Sequence, residues 1–272
     1  MNIENQQATL RNIEEFKRIE KFLLEHAKVL YVDLDGCLSL HTEHVRAWAY
    51  QQTLNKYSNQ VYTYEEAATF SGQPVDITLS EFMMIFERDG NQKWDEIKPG
   101  FDDLKAEHHG LYLGKIFEED QTTNPWVVQA IGIMEQRGLP CIIVSNGTDE
   151  GIRKLLTHWN LWDPFKGDMN IGDYSGGKIF AYDSQDMIGA DGSRCANRAL
   201  DNGKLEPDKI KFMEHLMKKL GHEITELAIF EDSFAAFIGF DEVGAFSVYV
   251  LNGHNRPNTT GKGFTLDCSS MG

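Results

Sequence analysis

Cysteine is scarce and scattered. The four residues Cys37, Cys141, Cys195 and Cys268 show no short paired spacing, which excludes a secreted disulfide framework and a zinc knuckle and leaves free thiols in a reducing compartment as the expectation. Positive charge is also in short supply. Against 42 Asp and Glu stand 26 Lys and Arg, a formal charge of −16. Such a chain does not attract polyanions over its whole surface, so nucleic acid and anionic membranes are excluded as expected partners. A small anionic substrate stays open, because a few cations in a pocket reverse the field locally. No apolar stretch reaches the length that crosses a bilayer. The first 28 residues, charged throughout, lack the apolar centre of a signal peptide. A cytoplasmic protein is expected, as monomer or homodimer.

Several catalytic signatures are missing too. No HExxH pattern occurs among the nine histidines, and His108-His109 read as surface or hinge residues rather than metal ligands. The positions where a cysteine phosphatase needs arginine hold Glu43, Gly147 and Asp201. Gly172 to Lys178 approximates a P-loop, but Ile179 stands where Ser or Thr must hold the cation. Trp126, Trp159, Trp162 and Phe165 fall along helical stretches and read as packing residues.

What is present is a rhythm of short apolar runs and amphipathic stretches. With 41% apolar residues in 272, there is material for one large domain or two modest ones. Residues 8–27 show three- and four-residue apolar spacing, through Leu10, Ile13, Phe16, Ile19 and Leu23, that predicts a helix. Val29–Val32, Cys141–Val144 and Leu227–Phe230 are short apolar runs that stop abruptly at polar residues, as buried parallel strands do. Ser247–Leu251 and, more weakly, Ile179–Tyr182 are further strands. Helices are predicted over 125–137, 149–159, 208–220 and 234–243. The alternation argues for an α/β fold, a three-layer Rossmann-like parallel sheet core. Residues 41–121 break it with helical periodicity and no buried strand, and read as an inserted all-helical cap domain. The core is then 1–40 with 122–272, of which 1–28 is an extra N-terminal helix. The tail after Asn252 reads as irregular.

In open parallel sheets ligands bind beyond the carboxyl ends of the strands, and each run here ends in chemistry. Asp33 and Asp35, two apart, point the same way in extended chain. One carboxylate attacks phosphorus and forms an acyl phosphate; the other protonates the leaving oxygen and then takes a proton from water. A carboxylate approaches a phosphate dianion only with a cation beside it. Glu231 and Asp232 supply hard oxygens for Mg²⁺. Ser145 and the amides after it suit a phosphate oxygen, and Lys204 suits transition-state charge.

With these residues in this order, the chain resembles the haloacid dehalogenase-like superfamily of phosphotransferases. The motifs are VDLDGCL (32–38), IIVSNG (142–147), GKLEPDKI (203–210) and IFEDSFAAFIGFDEVGA (229–245). The resemblance runs from Val29 to Asn252. It is closest to members with a helical cap after the first motif, such as phosphoglycolate phosphatase and β-phosphoglucomutase. It implies Asp33 as nucleophile, Asp35 as acid/base, and phosphate binding at Gly36, Ser145, Asn146 and Lys204. It also implies Mg²⁺ held by Asp33, Glu231, Asp232 and the Asp35 backbone carbonyl. The substrate class implied is a small phosphorylated metabolite.

The chain departs from the family pattern in places. Leu205 replaces the first proline of the lysine motif, and about a dozen extra residues, 189–202, precede it. A phosphomutase is one alternative. The arginine associated with mutases is missing from 71–83, which favours hydrolysis. A non-catalytic scaffold with this fold is the other; the filled catalytic positions argue against it.

Overall fold

The apolar runs become strands because each is buried on both faces. The strands are β1 (Val29–Val32), β2 (Cys141–Ser145), β3 (Met169–Ile171), β4 (Tyr174–Gly176), β5 (Ile179–Ala181), β6 (Arg198–Ala199), β7 (Leu205–Glu206), β8 (Leu227–Glu231), β9 (Phe246–Leu251) and β10 (Phe264–Asp267). The helices are α1 (Ile3–Glu25), α2 (Thr42–Tyr57), α3 (Tyr64–Ala68), α4 (Val75–Asp89), α5 (Gln92–Ile97), α6 (Phe101–Glu118), α7 (Pro125–Gln136), α8 (Asp149–His158), α9 (Lys209–Leu220) and α10 (Phe234–Glu242). The computed structural model describes residues 3–40, 42–71, 75–119, 123–181, 198–199, 205–206, 209–252 and 257–269. Two compact units emerge: Met1–Leu40 with Thr122–Asn197 and Pro207–Gly272, and His41–Gln121 with Arg198–Glu206.

In the first unit, six strands form a wholly parallel sheet in the order β10-β9-β8-β1-β2-β5. Every residue of β1, β2 and β8 is buried, which is why these runs lack the polar alternation of a half-exposed strand. Val29, Tyr31, Ile142, Val144, Leu227 and Ile229 face one core, filled by Phe212, Met213 and Leu216 of α9 and Phe240 of α10. Burying such aliphatic and aromatic side chains contributes roughly 1.5–3 kcal/mol each. Elsewhere α7 packs on β1 and β2, and α1 packs on α7 and β10. Phe22 of α1 stacks on Phe246 at 3.9 Å, and Phe16 meets Trp126 at 5.2 Å. Arg137, just past α7, ends α1 by donating to the carbonyls of Leu23 and Ala27.

One sequence expectation is revised, and the rejected P-loop takes another form. The tail is not wholly irregular: β10 pairs in parallel with β9. Its last residue is held from α1, where Asn12 Nδ2 donates to the Asp267 carbonyl at 2.7 Å and Asp267 N–H donates to Asn12 Oδ1 at 2.9 Å. That support comes from 255 residues away in sequence, so no local pattern reveals it. The near P-loop is a β-hairpin, β3 to β4, turning at Gly172 with φ +58°. A positive φ suits glycine.

The second unit contains α2–α6 around an aromatic core of Tyr50, Tyr57, Phe82, Phe86 and Trp94, with Leu54, Leu79 and Leu104. Polar caps start its short helices: Thr63 and Glu66 make a capping box at α3, and Asn91 accepts from Trp94 N–H at α5. His108 is buried here rather than at a surface or hinge, with its ring stacked on Tyr50 at 4.6 Å. The stretch reads HH in sequence, but the 3.6-residue period of α6 turns the first ring inward.

Candidate active site

Strand register builds the site. Val32 pairs with Phe230 on one side and with Ile143 on the other. Asp33, the next residue, therefore lies level with Glu231, and its N–H donates to the Phe230 carbonyl at 3.0 Å. Because side chains alternate along a strand, Tyr31 and Asp33 share a face, as do Ile229 and Glu231. Asp33, Glu231 and Asp232 are all buried, with one carboxylate oxygen from each lying within 4.8 Å of the others. Asp35 is also buried, in the loop between β1 and α2.

Among the described residues, one cation enters this group, from α9. Lys209 Nζ donates to Asp33 Oδ1 at 2.6 Å and to Glu231 Oε2 at 3.2 Å. Burial works to discharge Lys209, but Asp33, Glu231 and Tyr31 outweigh it and hold the ammonium well above its ordinary range. Glu231 receives two further donors: Tyr31 O–H at 2.8 Å on Oε2 and Ser233 N–H at 3.1 Å on Oε1. Burial and then the Glu231 carboxylate push Asp33 up to about 8, with Lys209 pulling the other way. Cys37, four residues along, is held as a thiol by burial and by Asp33, Asp232 and Glu231.

The loop after β1 is fitted closely. Gly36 has φ +79°, and a Cβ there would fall 2.1 Å from Asp232 Oδ2 and 2.6 Å from Asn252 Nδ2. Gly36 N–H donates to the Ser39 carbonyl at 2.7 Å. At the end of β2, Ser145 Oγ accepts from Gly147 N–H at 3.0 Å, and Thr148 caps α8 by accepting from Gly151 N–H at 3.2 Å. Asn146 Oδ1 is buried with no hydrogen-bond donor among the described residues.

The structure thus gathers Asp33, Glu231 and Asp232 closely and places Asp35, Gly36, Ser145 and Asn146 at neighbouring strand ends. Lys204 lies outside the described residues, as does most of 189–202. Three contributors are absent from the sequence reading: Lys209, Tyr31 and Asn252. Lys209 shares its motif with Lys204, and only the start of α9 shows which face it presents. Tyr31 carried a signal, as a hydroxyl in an otherwise aliphatic run two residues before Asp33. Asn252 carried none.

The fold and these strand-end carboxylates define a class, the haloacid dehalogenase-type α/β fold with a helical cap. Solved structures share it. CbbY from Rhodobacter sphaeroides in complex with phosphate has a TM-score of 0.60 and 12% identity, over 89% of this chain and 94% of that one. A HAD hydrolase of family IA, variant 3, from Entamoeba histolytica has a TM-score of 0.55 and 14% identity, over 83% and 84%. A haloacid dehalogenase-like hydrolase from Streptococcus pneumoniae has a TM-score of 0.52 and 13% identity, over 90% and 96%. A mutant of the same CbbY has been solved with xylulose-(1,5)bisphosphate. No protein-family model and no curated protein matches the sequence.

Proposed function

We propose that this chain is a Mg²⁺-dependent phosphatase of small phosphorylated metabolites, working through an aspartyl phosphate on Asp33. The observation that carries the reading is the buried meeting of Asp33, Glu231 and Asp232 with Lys209 at adjacent ends of a parallel sheet. The phosphate and sugar bisphosphate seen with the Rhodobacter sphaeroides neighbour support the substrate class.

The donor set fits a hard divalent cation. Three buried carboxylates face one ammonium among the described residues, and burial, then the Glu231 carboxylate, push Asp33 up to about 8. Asp33, Glu231 and Asp232 would hold the ion, with the Asp35 carbonyl alongside. Bound there, it supplies charge neutralisation that lets an anionic phosphoryl group approach a carboxylate. Gly36 N–H points at the Ser39 carbonyl, and in a trans peptide the preceding carbonyl points the opposite way. The carbonyl of Asp35 is thereby turned away from Ser39.

The chain's own residues then perform the transfer. Asp33 attacks phosphorus as the carboxylate, in line with the departing oxygen, and the P–O bond to that oxygen breaks. Asp35 gives the leaving oxygen its proton. Lys209, fixed between Asp33 and Glu231, offsets negative charge on the phosphoryl oxygens as they spread in the transition state. Ser145 and the amides after it, with Gly36, Asn146 and Lys204, bind the phosphate. In the second half, water attacks the acyl phosphate while Asp35 takes its proton, releasing phosphate and restoring Asp33. A localisation in the cytoplasm and a core of 1–40 with 122–272 around a 41–121 cap complete the proposal.

Hydrolysis of p-nitrophenyl phosphate and of a panel of phosphorylated metabolites tests it. The wild type should turn over with Mg²⁺ and stop in EDTA, and Asp33→Asn should be inactive yet folded. Activity that survives EDTA, or Asp33→Asn at more than a small fraction of wild type, would overturn the proposal.

A further inference from the structure

Asn252 follows β9 directly, at the far side of β8 from β1, yet its side chain reaches the loop after β1. It is buried, and its Nδ2 lies 3.0 Å from the Gly36 carbonyl and 3.0 Å from Asp232 Oδ2. Both partners are pure acceptors, so only the NH₂ end of the amide satisfies them, and the two hydrogens are divided between them. One side chain therefore ties the loop carrying Asp33 and Asp35 to a carboxylate of the acidic cluster. Space leaves little alternative. A methyl group on Gly36 would overlap both Asp232 and Asn252, so the three groups sit at closest approach.

We propose that Asn252 is a positioning residue that sets the affinity of this site for its divalent cation. The inference rests on the metal-site reading above. A carboxylate with one oxygen held rotates through fewer orientations, and its other oxygen is presented in a narrower range of directions. The second hydrogen bond fixes the peptide after Gly36, while the Gly36 N–H to Ser39 bond fixes the peptide before it. Together they hold the loop backbone on both sides of the glycine. Asn252 touches neither substrate nor metal in this account; it acts through Asp232 and Gly36. Such supporting partners of ligating carboxylates change metal affinity by about 10- to 100-fold when removed.

The test is a Mg²⁺ titration of the metal-stripped full chain, read by the rise in melting temperature and by calorimetry. The wild type should saturate, and Asn252→Ala should need about 10- to 100-fold more Mg²⁺ for half-saturation. Asn252→Ser, which keeps a short donor, should fall between the two and serves as the readout if the alanine variant does not fold. At saturating Mg²⁺, kcat should return to within a few-fold of wild type, because no reacting group has been removed. A merely structural role would lower the metal-free melting temperature and leave the half-saturating concentration unchanged; that result overturns the inference and spares the proposed function. A wild type that shows no Mg²⁺ response at all overturns both.

Discussion

Lys209 is buried between two carboxylates, and removing its charge should act twice. Lys209→Met should lower kcat about 10²- to 10³-fold, the range seen when one preorganised donor to a developing oxyanion is lost. It should also destabilise the metal-free protein by about 3–5 kcal/mol, because it leaves Asp33 and Glu231 without their counter-charge. Urea unfolding with and without Mg²⁺ checks the second effect, and added Mg²⁺ should recover part of the loss. Lys204→Met, measured beside it, separates the two lysines of the motif: a larger loss of kcat at Lys204 would return the charge-offsetting role to that residue. Tyr31→Phe removes one hydroxyl and little else. Its bond to Glu231 is charge-assisted and buried, so the loss should be about 1.5–3 kcal/mol of stability by chemical denaturation. A change within a few tenths of a kcal/mol would mean that Glu231 is held well enough by Ser233 and Lys209.

At the scale of elements, the edge of the sheet depends on a contact between the two ends of the described chain. Asn12 pairs both main-chain groups of Asp267 and thereby docks β10 against α1. Asn12→Ala leaves that carbonyl and N–H to find other partners, and should destabilise the protein by about 1–3 kcal/mol. Hydrogen exchange should show the loss concentrated in β10 and its partner β9, while β1 and β8 stay protected. Uniform loss of protection across the sheet would mean that this edge does not open separately. The site-bearing ends of β1 and β8 belong to the centre of the sheet, so Asp33 and Glu231 should keep their places when the edge frays.

Over the whole molecule, the response to acid has an identifiable source in the helical unit. Burial, then Arg46 and His109, push His108 down to about 3, while its hydrogen bond with the backbone of Ala49 works the other way. Tyr50 stacks on the ring, and Thr53 Oγ1 lies 3.4 Å from Nδ1. The folded state holds this imidazole neutral, whereas the unfolded chain protonates near the ordinary value of about 6.5. Between pH 3 and 6.5 the unfolded state thus binds the extra proton. The stabilisation is complete above 6.5 and is lost as the pH falls toward 3. At about 1.4 kcal/mol per unit this amounts to several kcal/mol. Thermal melts from pH 7 to pH 4.5 should show a steep decline in the wild type and a shallower one in His108→Phe, which keeps an aromatic ring but cannot titrate. Parallel declines would assign the acid sensitivity to other groups.

The sequence by itself determined the parallel sheet, because strands buried on both faces must be continuous apolar runs, and Val29–Val32, Cys141–Val144 and Leu227–Phe230 are such runs. It also put Asp33, Asp35, Ser145, Glu231 and Asp232 at strand ends, since polar residues cannot continue a buried strand. Two neighbouring residues in sequence are necessarily close in space, so the acidic pairs were legible. What approaches them from elsewhere was not. Lys209 reaches Asp33 across 176 residues, Asn252 reaches Gly36 across 216, and Asn12 reaches Asp267 across 255. Each is an ordinary polar side chain in its local context, on a helix face or after a strand. Its partner is fixed by strand order, register and the turn of a helix, which only the packed sheet sets. The same holds for His108, whose burial depends on which face of α6 meets Tyr50. Local chemistry wrote the strand-end acids into the chain; tertiary packing chose the residues that hold them in place.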